Sequence, residues 1–295
     1  MAPADAGLAV AFRDAMTAVD GGYATVAAAT LAAALHGVVL DAAAPDPDVS
    51  DAARLYAAVL AVLDDPGGAL PYSSYAHSVL VGAAPTSTRG LLAGVVHAYV
   101  LRATDQVWPA AALWRDVLRR FVATFGPNDR ATLAGHADVA VALYEAGQCL
   151  TARQVLHQSC AAYRRGYAVD GVAIRMIARL ASMTRACGGE VAAQRYAEDA
   201  ERLHAEHVAS DAALLELVRD SRTVERHVCG QPSTPHHAGV SDLFVDLFAA
   251  RPDSAVDTAD RGAAADRAAA ADRAADVEPP SDVAPTIRRL PVTNA

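Results

Sequence analysis

The chain has 295 residues and a formal net charge of −9, and all 25 of its basic residues are arginines that form no long cluster. Both nucleic acids and anionic membranes attract proteins through clustered positive charge, so the composition argues against either partner. Hydrophobic residues make up 53% of the chain and aromatic residues only 5%. Because alanine and leucine are strong helix formers, this balance favours an all-α fold with closely packed helices.

The beginning of the sequence has neither the basic stretch nor the continuous apolar core of a signal peptide. No apolar run reaches the roughly 18 residues of a membrane-spanning helix without a charge or a helix breaker. The spacing of the cysteines, Cys149, Cys160, Cys187 and Cys229, matches no metal or disulfide framework. We therefore expect a cytoplasmic protein whose cysteines are reduced and packed as small apolar residues.

Apolar periodicity predicts a series of helices along most of the chain. The third helix is expected to begin at an N-cap formed by Ser50 or Asp51 and to end before Asp65-Pro66-Gly67-Gly68. In chain order, the predicted helices cover roughly residues 8–20, 23–40, 51–63, 72–82, 88–103, 108–125, 132–146, 150–163, 172–186, 190–206 and 210–228.

Two-helix units recur at a spacing of roughly 40 residues, and the clearest of them lies between Phe125 and Tyr163. Self-similarity at this period is typical of stacked helix pairs, none of which can bury its apolar face alone. The sequence thus predicts an α-α superhelix, a solenoid of antiparallel helix pairs, over residues 1–228, with the clearest repeats at 86–206.

The remainder of the chain has a different character. Residues 229–240 form a linker rich in Pro and His. Residues 241–250 are predicted as a short amphipathic helix, and residues 251–295 as a disordered low-complexity tail with too few large apolar residues to fold. The short helix carries an apolar strip suited to docking in a groove, formed by Leu243, Phe244, Leu247 and Phe248.

The clearest unit resembles a tetratricopeptide repeat (TPR), and its linker at 125–133 is similar to that of the kinesin-light-chain-like subclass of bacterial type. Small and large residues alternate around a turn glycine in the order that the family uses. The matching residues are Ala140, Leu143, Gly147, Ala152 and Leu156, then Ala98, Leu101, Ala110 and Trp114 in the unit before, and Ala181, Met183, Gly188, Ala193 and Tyr196 in the unit after. Gln106 stands where the family has its turn glycine.

The resemblance implies a scaffold or adaptor that binds a protein or peptide in a concave groove lined by the first helix of each pair. Tyrosine and arginine are residue types that anchor interfaces. The matching positions place five candidates near the groove: Tyr99, Arg102, Tyr144, Glu145 and Arg185. No cofactor is implied.

Two groups of residues could carry chemistry, but the sequence favours a structural interpretation for both. His227 and Cys229, followed by His236 and His237, offer metal-ligand types without the tight paired spacing of zinc sites, so no metal is predicted. His157 lies one helical turn from Cys160, and packing explains the two better than a catalytic pair does.

Two alternatives to a binding scaffold stay open. An all-α metal-dependent enzyme, similar to a terpene synthase, would use Asp64 and Asp65 to hold a divalent ion, although no third acidic residue follows at the required spacing. A sensor or regulatory subunit of a transcription or signalling system would need no catalytic motif, and none is present.

Overall fold

The computed structural model describes residues 3–232, and within this range the chain forms eleven α-helices. The docking helix predicted at 241–250, the tail at 251–295 and most of the linker lie outside the described residues. The helices are α1 (Pro3–Asp20), α2 (Ala24–Ala34), α3 (Pro47–Val62), α4 (Pro66–Ala83), α5 (Thr88–Ala103), α6 (Val107–Phe125), α7 (Arg130–Glu145), α8 (Cys149–Gly166), α9 (Gly171–Ala186), α10 (Glu190–His207) and α11 (Ala212–Asp220).

Helices α1 to α10 pack as five consecutive pairs, and each pair contacts the next mainly through its second helix, with further contacts between first helices. The short helix α11 packs on both members of the last pair. The predicted all-α solenoid of helix pairs is therefore confirmed for this part of the chain.

A residue with positive φ stands in the turn of every pair, and it fixes the register of the repeat. These residues are Gly22, Asp64, Asp105, Gly147 and Gly188. Their spacing alternates between 42 and 41 residues. In the fourth turn, Gly147 donates its N–H to Tyr144 O, and the next residue donates to Leu143 O. The other turns repeat this pairing, which closes the C-terminus of the first helix. Aspartate at position 105 thus replaces the glycine that the family pattern led us to expect one residue later.

The N-terminus of each first helix shows the same period. From α3 to α9, the residues that cap these helices are Asp46, Ser87, Asp129 and Asp170, each of which accepts a backbone N–H through its side chain. Because such a side chain satisfies donors that the helix leaves open, it marks where the helix begins. The sequence therefore specifies both ends of the first helices from α3 to α9 at a spacing of 41 or 42 residues.

Small residues occupy the places where the two helices of a pair approach each other. Ala140 and Ala152 are fully buried, as are their counterparts in the flanking pairs. At Gly94, an added Cβ would come within 2.7 Å of Val117 Cγ2 across the α5–α6 contact. This close approach explains why the chain uses alanine where most cores use larger side chains.

Several helix ends differ from the sequence prediction. Helix α1 begins at Pro3 rather than near residue 8, and α2 ends at Ala34 rather than near residue 40. Helix α3 begins at Pro47, because Asp46 rather than Ser50 or Asp51 is its cap. Helix α4 begins at Pro66, since Asp65 caps it and proline fits the first turn. Helix α11 ends at Asp220, and the eight residues to 228 lie outside any helix.

Two apolar clusters form the core of the described residues. One joins α1–α5 and the other joins α3–α11, so they meet in the second and third pairs. First helices are buried on more sides than second helices: thirteen residues of α7 are buried, but only six of α8. None of the described helices combines the length and hydropathy needed to cross a membrane.

Candidate functional site

The residues predicted to line the groove all lie near the C-termini of α5, α7 and α9. Arg102, Tyr144 and Arg185 hold the same position in their repeats, three residues before the residue with positive φ. In a stack of pairs, equivalent positions on successive first helices lie side by side. The candidate site is therefore one surface of the solenoid, which we call the first-helix face: the C-terminal halves of α5, α7 and α9.

A buried ion pair connects two neighbouring first helices across this face. Arg102 Nη1 donates to Glu145 Oε1 at 2.7 Å, and each side chain is only 6% exposed. Tyr99 lies beneath the guanidinium, whose carbon is 5.2 Å from the ring centroid. Removal of two charges from water is costly, so the pair persists only because each charge compensates the other.

A second ionic contact links α7 to α9. Arg179 Nη1 lies 3.9 Å from Asp138 Oδ1, and the aspartate side chain is 4% exposed. Burial raises the pKa of Glu145, against the opposing charges of Arg102 and Arg179. The first-helix face thus has a polar interior between helices that otherwise pack through apolar residues.

Arg185 has different contacts from its counterpart Arg102. Its guanidinium donates to Glu190 Oε2 at 2.6 Å, to Gln194 Oε1 and to the backbone carbonyl of Ser221. These partners direct it toward α10 and the residues after α11, beside a surface hollow of about 470 Å³.

The predicted residues are thus brought together in part. Tyr99, Arg102 and Glu145 are buried in contact with one another. Tyr144 is buried against His227, and Arg185 points toward α10. Their role in peptide binding stays a prediction. An incoming ligand would contact the four buried side chains only by displacing what covers them.

The aspartates of the enzyme alternative belong to the turn between α3 and α4. Asp64 has a φ of 61° and holds the left-handed position of that turn, and Asp65 accepts the Gly68 N–H at 2.9 Å as the cap of α4. Both residues are therefore explained by the repeat, and no other carboxylate, His or Cys of the described chain joins them in a cluster that could hold a metal.

The residues that follow α11 return along the turns of the last two pairs. In this C-terminal segment (residues 221–232), the N–H of His227 donates to Ala186 O and that of Gly230 donates to Gly147 O, both at 3.1 Å. A Cβ added to Gly147 would lie 2.8 Å from the carbonyl oxygen of Gln231. The segment is thus held against the solenoid by its backbone.

The C-terminal segment brings together four side chains that the sequence analysis treated separately. Cys149, Cys187, His227 and Cys229, which we call the Cys/His cluster, place their ligand atoms within 4.8 Å of one another. Burial, and to a smaller extent a hydrogen bond with Cys229, raises the pKa of Cys187 to about 12. Burial, followed by the charges of these sulfurs, raises the pKa of Tyr144 as well.

The sequence analysis did not connect His227 and Cys229 with Cys149 and Cys187. It associated them with His236 and His237, which lie outside the described residues. The available signal was the repeat register, because Cys149 and Cys187 each lie within two residues of a turn glycine and successive turns are adjacent. The return of the chain past those turns has no local pattern. His157 contributes to a separate hollow of about 310 Å³ between α8 and α10, and Cys160 is buried on α8.

No protein-family model and no curated protein matches this sequence. Among solved structures, the TPR-like repeats of a putative kinesin light chain from Podosopora anserina align with a TM-score of 0.59 at 17% identity, over 70% of this chain and 98% of that one. This chain has a TPR-like helical repeat fold. The apo form of RapI aligns with a TM-score of 0.59 at 12% identity, over 91% of this chain and 89% of that one.

A Rap protein solved in complex with the competence and sporulation factor gives a TM-score of 0.57 at 13% identity. The alignment covers 71% of this chain and 56% of the Rap protein. At these identities, the similarity shows a shared TPR-like fold and nothing finer.

Proposed function

We propose that this protein is a binding scaffold that takes up a protein or peptide partner on its first-helix face. The observation that carries the proposal is the line of buried charges on that face. Arg102–Glu145 joins α5 to α7, and Asp138–Arg179 joins α7 to α9. The charges therefore follow the direction in which successive pairs stack.

Stability alone gives little reason for charges at these places. Replacement of a buried ion pair by apolar residues of similar volume is often neutral or stabilising. A partner with its own charged groups, by contrast, could exchange with these pairs and be selected by them. Charge pairs that recur along one face thus favour recognition over packing.

The fold supports the same proposal. One of the aligned structures, a Rap protein, was solved as a complex with the competence and sporulation factor. By analogy of fold, we extend a partner-binding role to this chain. A regulatory or sensor subunit would use the same face, so the proposal includes that alternative. The enzyme alternative is less well supported, because Asp64 and Asp65 already form the turn before α4 and cap that helix.

We further propose that the apolar strip Leu243, Phe244, Leu247 and Phe248 competes with partners for a groove, as a tethered arm. The support is the sequence pattern alone, since these residues lie outside the described part of the chain. Deletion of residues 241–295 should then strengthen partner binding; an unchanged affinity would contradict the arm.

The main proposal can be tested with a displayed library of random peptides, selected on the full chain. Peptides enriched on the wild type should bind at least about tenfold more weakly to a double variant, Arg102→Met with Glu145→Met, because each charged hydrogen bond contributes roughly 1.5–3 kcal/mol. Isothermal titration gives the affinities. The variant Arg119→Gln, at a site 79% exposed on α6, is the control and should bind like the wild type.

Two results would argue against the first-helix face as the binding site. One is an enriched peptide that binds the folded double variant and the wild type equally well. The other is a library that yields no specific peptide from the wild-type chain.

A further inference from the structure

The four ligand residues of the Cys/His cluster come from three separate parts of the chain. Cys149 is the first residue of α8, and Cys187 is the last residue before the α9–α10 turn. His227 and Cys229 belong to the C-terminal segment. His227 lies 78 residues after Cys149 and 40 residues after Cys187. Convergence from such distances makes a sequence-local explanation, such as a shared helix face, impossible.

We propose that the Cys/His cluster is a structural zinc site that fastens the C-terminal segment to the turns of the last two helix pairs. Three sulfurs and one imidazole nitrogen are a donor set that Zn²⁺ takes in closed structural sites. Thiolate donors also disfavour Mg²⁺ and Ca²⁺, which prefer oxygen ligands.

The nitrogen–sulfur distances are close to those around a tetrahedral zinc ion. With Zn–S near 2.3 Å and Zn–N near 2.0–2.1 Å, a tetrahedron requires about 3.6 Å between nitrogen and sulfur. His227 Nε2 lies 3.1 Å from Cys149 Sγ, 3.7 Å from Cys187 Sγ and 3.8 Å from Cys229 Sγ. One nitrogen thus faces three sulfurs at about the separation that zinc requires, and all four ligand atoms lie within 4.8 Å of one another.

The surroundings of the cluster hold its members in place and leave a path for a metal. The His227 ring stacks on Tyr144, with centroids 4.7 Å apart and planes 29° apart, so its Nε2 is aimed at the sulfurs. Backbone hydrogen bonds to Ala186 and Gly147 position the segment at His227 and, three residues later, at Gly230. Cys149 is buried, Cys187 is half-buried and Cys229 is exposed, which gives access from one side.

The cluster takes three of the four cysteines in the whole sequence. The fourth, Cys160, is buried on α8 away from the others and serves as an internal control. If the thiols were only small apolar residues, nothing would bring three of them to one imidazole. Zinc binding would also explain why an extended segment with few apolar residues stays on the solenoid, since ligand binding to the folded state stabilises it.

The test uses the full chain, expressed with added zinc and purified under reducing conditions without chelators. Elemental analysis should give a one-to-one zinc content for the wild type and for Cys160→Ala, and almost none for Cys229→Ser and His227→Gln. After exchange with Co²⁺, the wild type should show visible bands of tetrahedral cobalt and near-ultraviolet sulfur-to-cobalt charge transfer. Circular dichroism checks that each variant is folded, and both variants change residues near the surface end of the cluster.

Chelation gives a readout that does not depend on metal content. Treatment with a zinc chelator should lower the melting temperature of the wild type and of Cys160→Ala, but not that of Cys229→Ser. Wild-type protein without stoichiometric zinc would overturn the proposal, as would full zinc content in both Cys229→Ser and His227→Gln. A disulfide between two cluster cysteines in freshly isolated protein, found by mass spectrometry without reduction, would also overturn it.

Discussion

Asp105 adopts a backbone conformation that glycine adopts in the next two turns. Its φ is +58°, whereas Gly147 and Gly188 have φ values of +82° and +85°. For a residue with a Cβ, the left-handed region costs up to about 1–2 kcal/mol, although aspartate tolerates it better than most. The repeat thus carries a small local strain at two turns, those of Asp64 and Asp105, that the three glycine turns avoid.

We predict that Asp105→Gly raises the free energy of unfolding by up to about 1 kcal/mol, because glycine removes this strain at an exposed position. The converse change, Gly188→Ala, should lower it by about 1–2 kcal/mol, since the alanine Cβ meets no atom within 4 Å and only the backbone is strained. Denaturant unfolding measures both. A destabilised Asp105→Gly would mean that the aspartate has a role beyond the turn.

The folded protein disfavours the protonated, charged form of His97. Its ring stacks on His77 with centroids 5.1 Å apart, and its Nδ1 lies 3.1 Å from Ser73 Oγ. Burial, followed by the charge of His77, lowers the pKa of His97 to about 4. Burial and then Arg120 lower the pKa of His77 as well, against the opposing effect of Asp116.

We predict that stability falls as the pH drops from about 6.5 to about 4. In this window, the unfolded chain binds a proton at His97 and the folded chain does not, so the stability present above pH 6.5 is lost. Because the ring is partly exposed, the loss should be about 1–2 kcal/mol rather than the full shift. The melting temperature should depend less on pH in His97→Asn than in the wild type. The variant His36→Asn, which changes an exposed histidine, should keep the wild-type dependence. If the melting temperature of His97→Asn fell as steeply with pH as that of the wild type, His97 would be excluded as the cause.

At the scale of helices, the Arg102–Glu145 pair acts as a single unit that connects α5 to α7. We predict that Arg102→Met alone lowers the free energy of unfolding by about 3–5 kcal/mol, because it leaves the Glu145 carboxylate buried without its partner. The double variant with Glu145→Met should recover most of that loss.

The control for this cycle is an exposed pair on a second helix. Arg119 bonds Asp116 at 2.8 Å but is 79% exposed, so Arg119→Met should change stability by less than about 0.5 kcal/mol. If the double variant were as unstable as Arg102→Met alone, the helices would depend on the charges themselves.

The same helices show what the sequence could and could not predict. Apolar period and turn residues are local, so the helix pairs and their register followed from the pattern around positions such as Gly147. The partner of Arg102 lies 43 residues away on the adjacent first helix, and only the packed solenoid brings the two together. The Cys/His cluster escaped prediction for the same reason, because the path of the chain after Asp220 depends on backbone bonds to distant turns.

At the scale of the molecule, the described solenoid has two apolar clusters that meet in the second and third pairs. A stack in which each pair contacts only its neighbours responds locally to a lesion. We therefore predict that Leu31→Ala, at a fully buried site in the cluster of α1–α5, lowers the free energy of unfolding of the N-terminal pairs by about 2–4 kcal/mol.

Hydrogen exchange resolves where that cost falls. In Leu31→Ala, amides of α1 and α2 should exchange faster while those of α7 to α10 keep their protection, since their cluster does not include Leu31. Leu156→Ala, at an equally buried site in the larger cluster, should reverse the pattern and expose α7 to α10 first. Uniformly faster exchange along the described helices in either variant would mean that the two clusters unfold as one cooperative unit. A partner bound on the first-helix face would then stabilise α1 and α2 as strongly as α7 and α9.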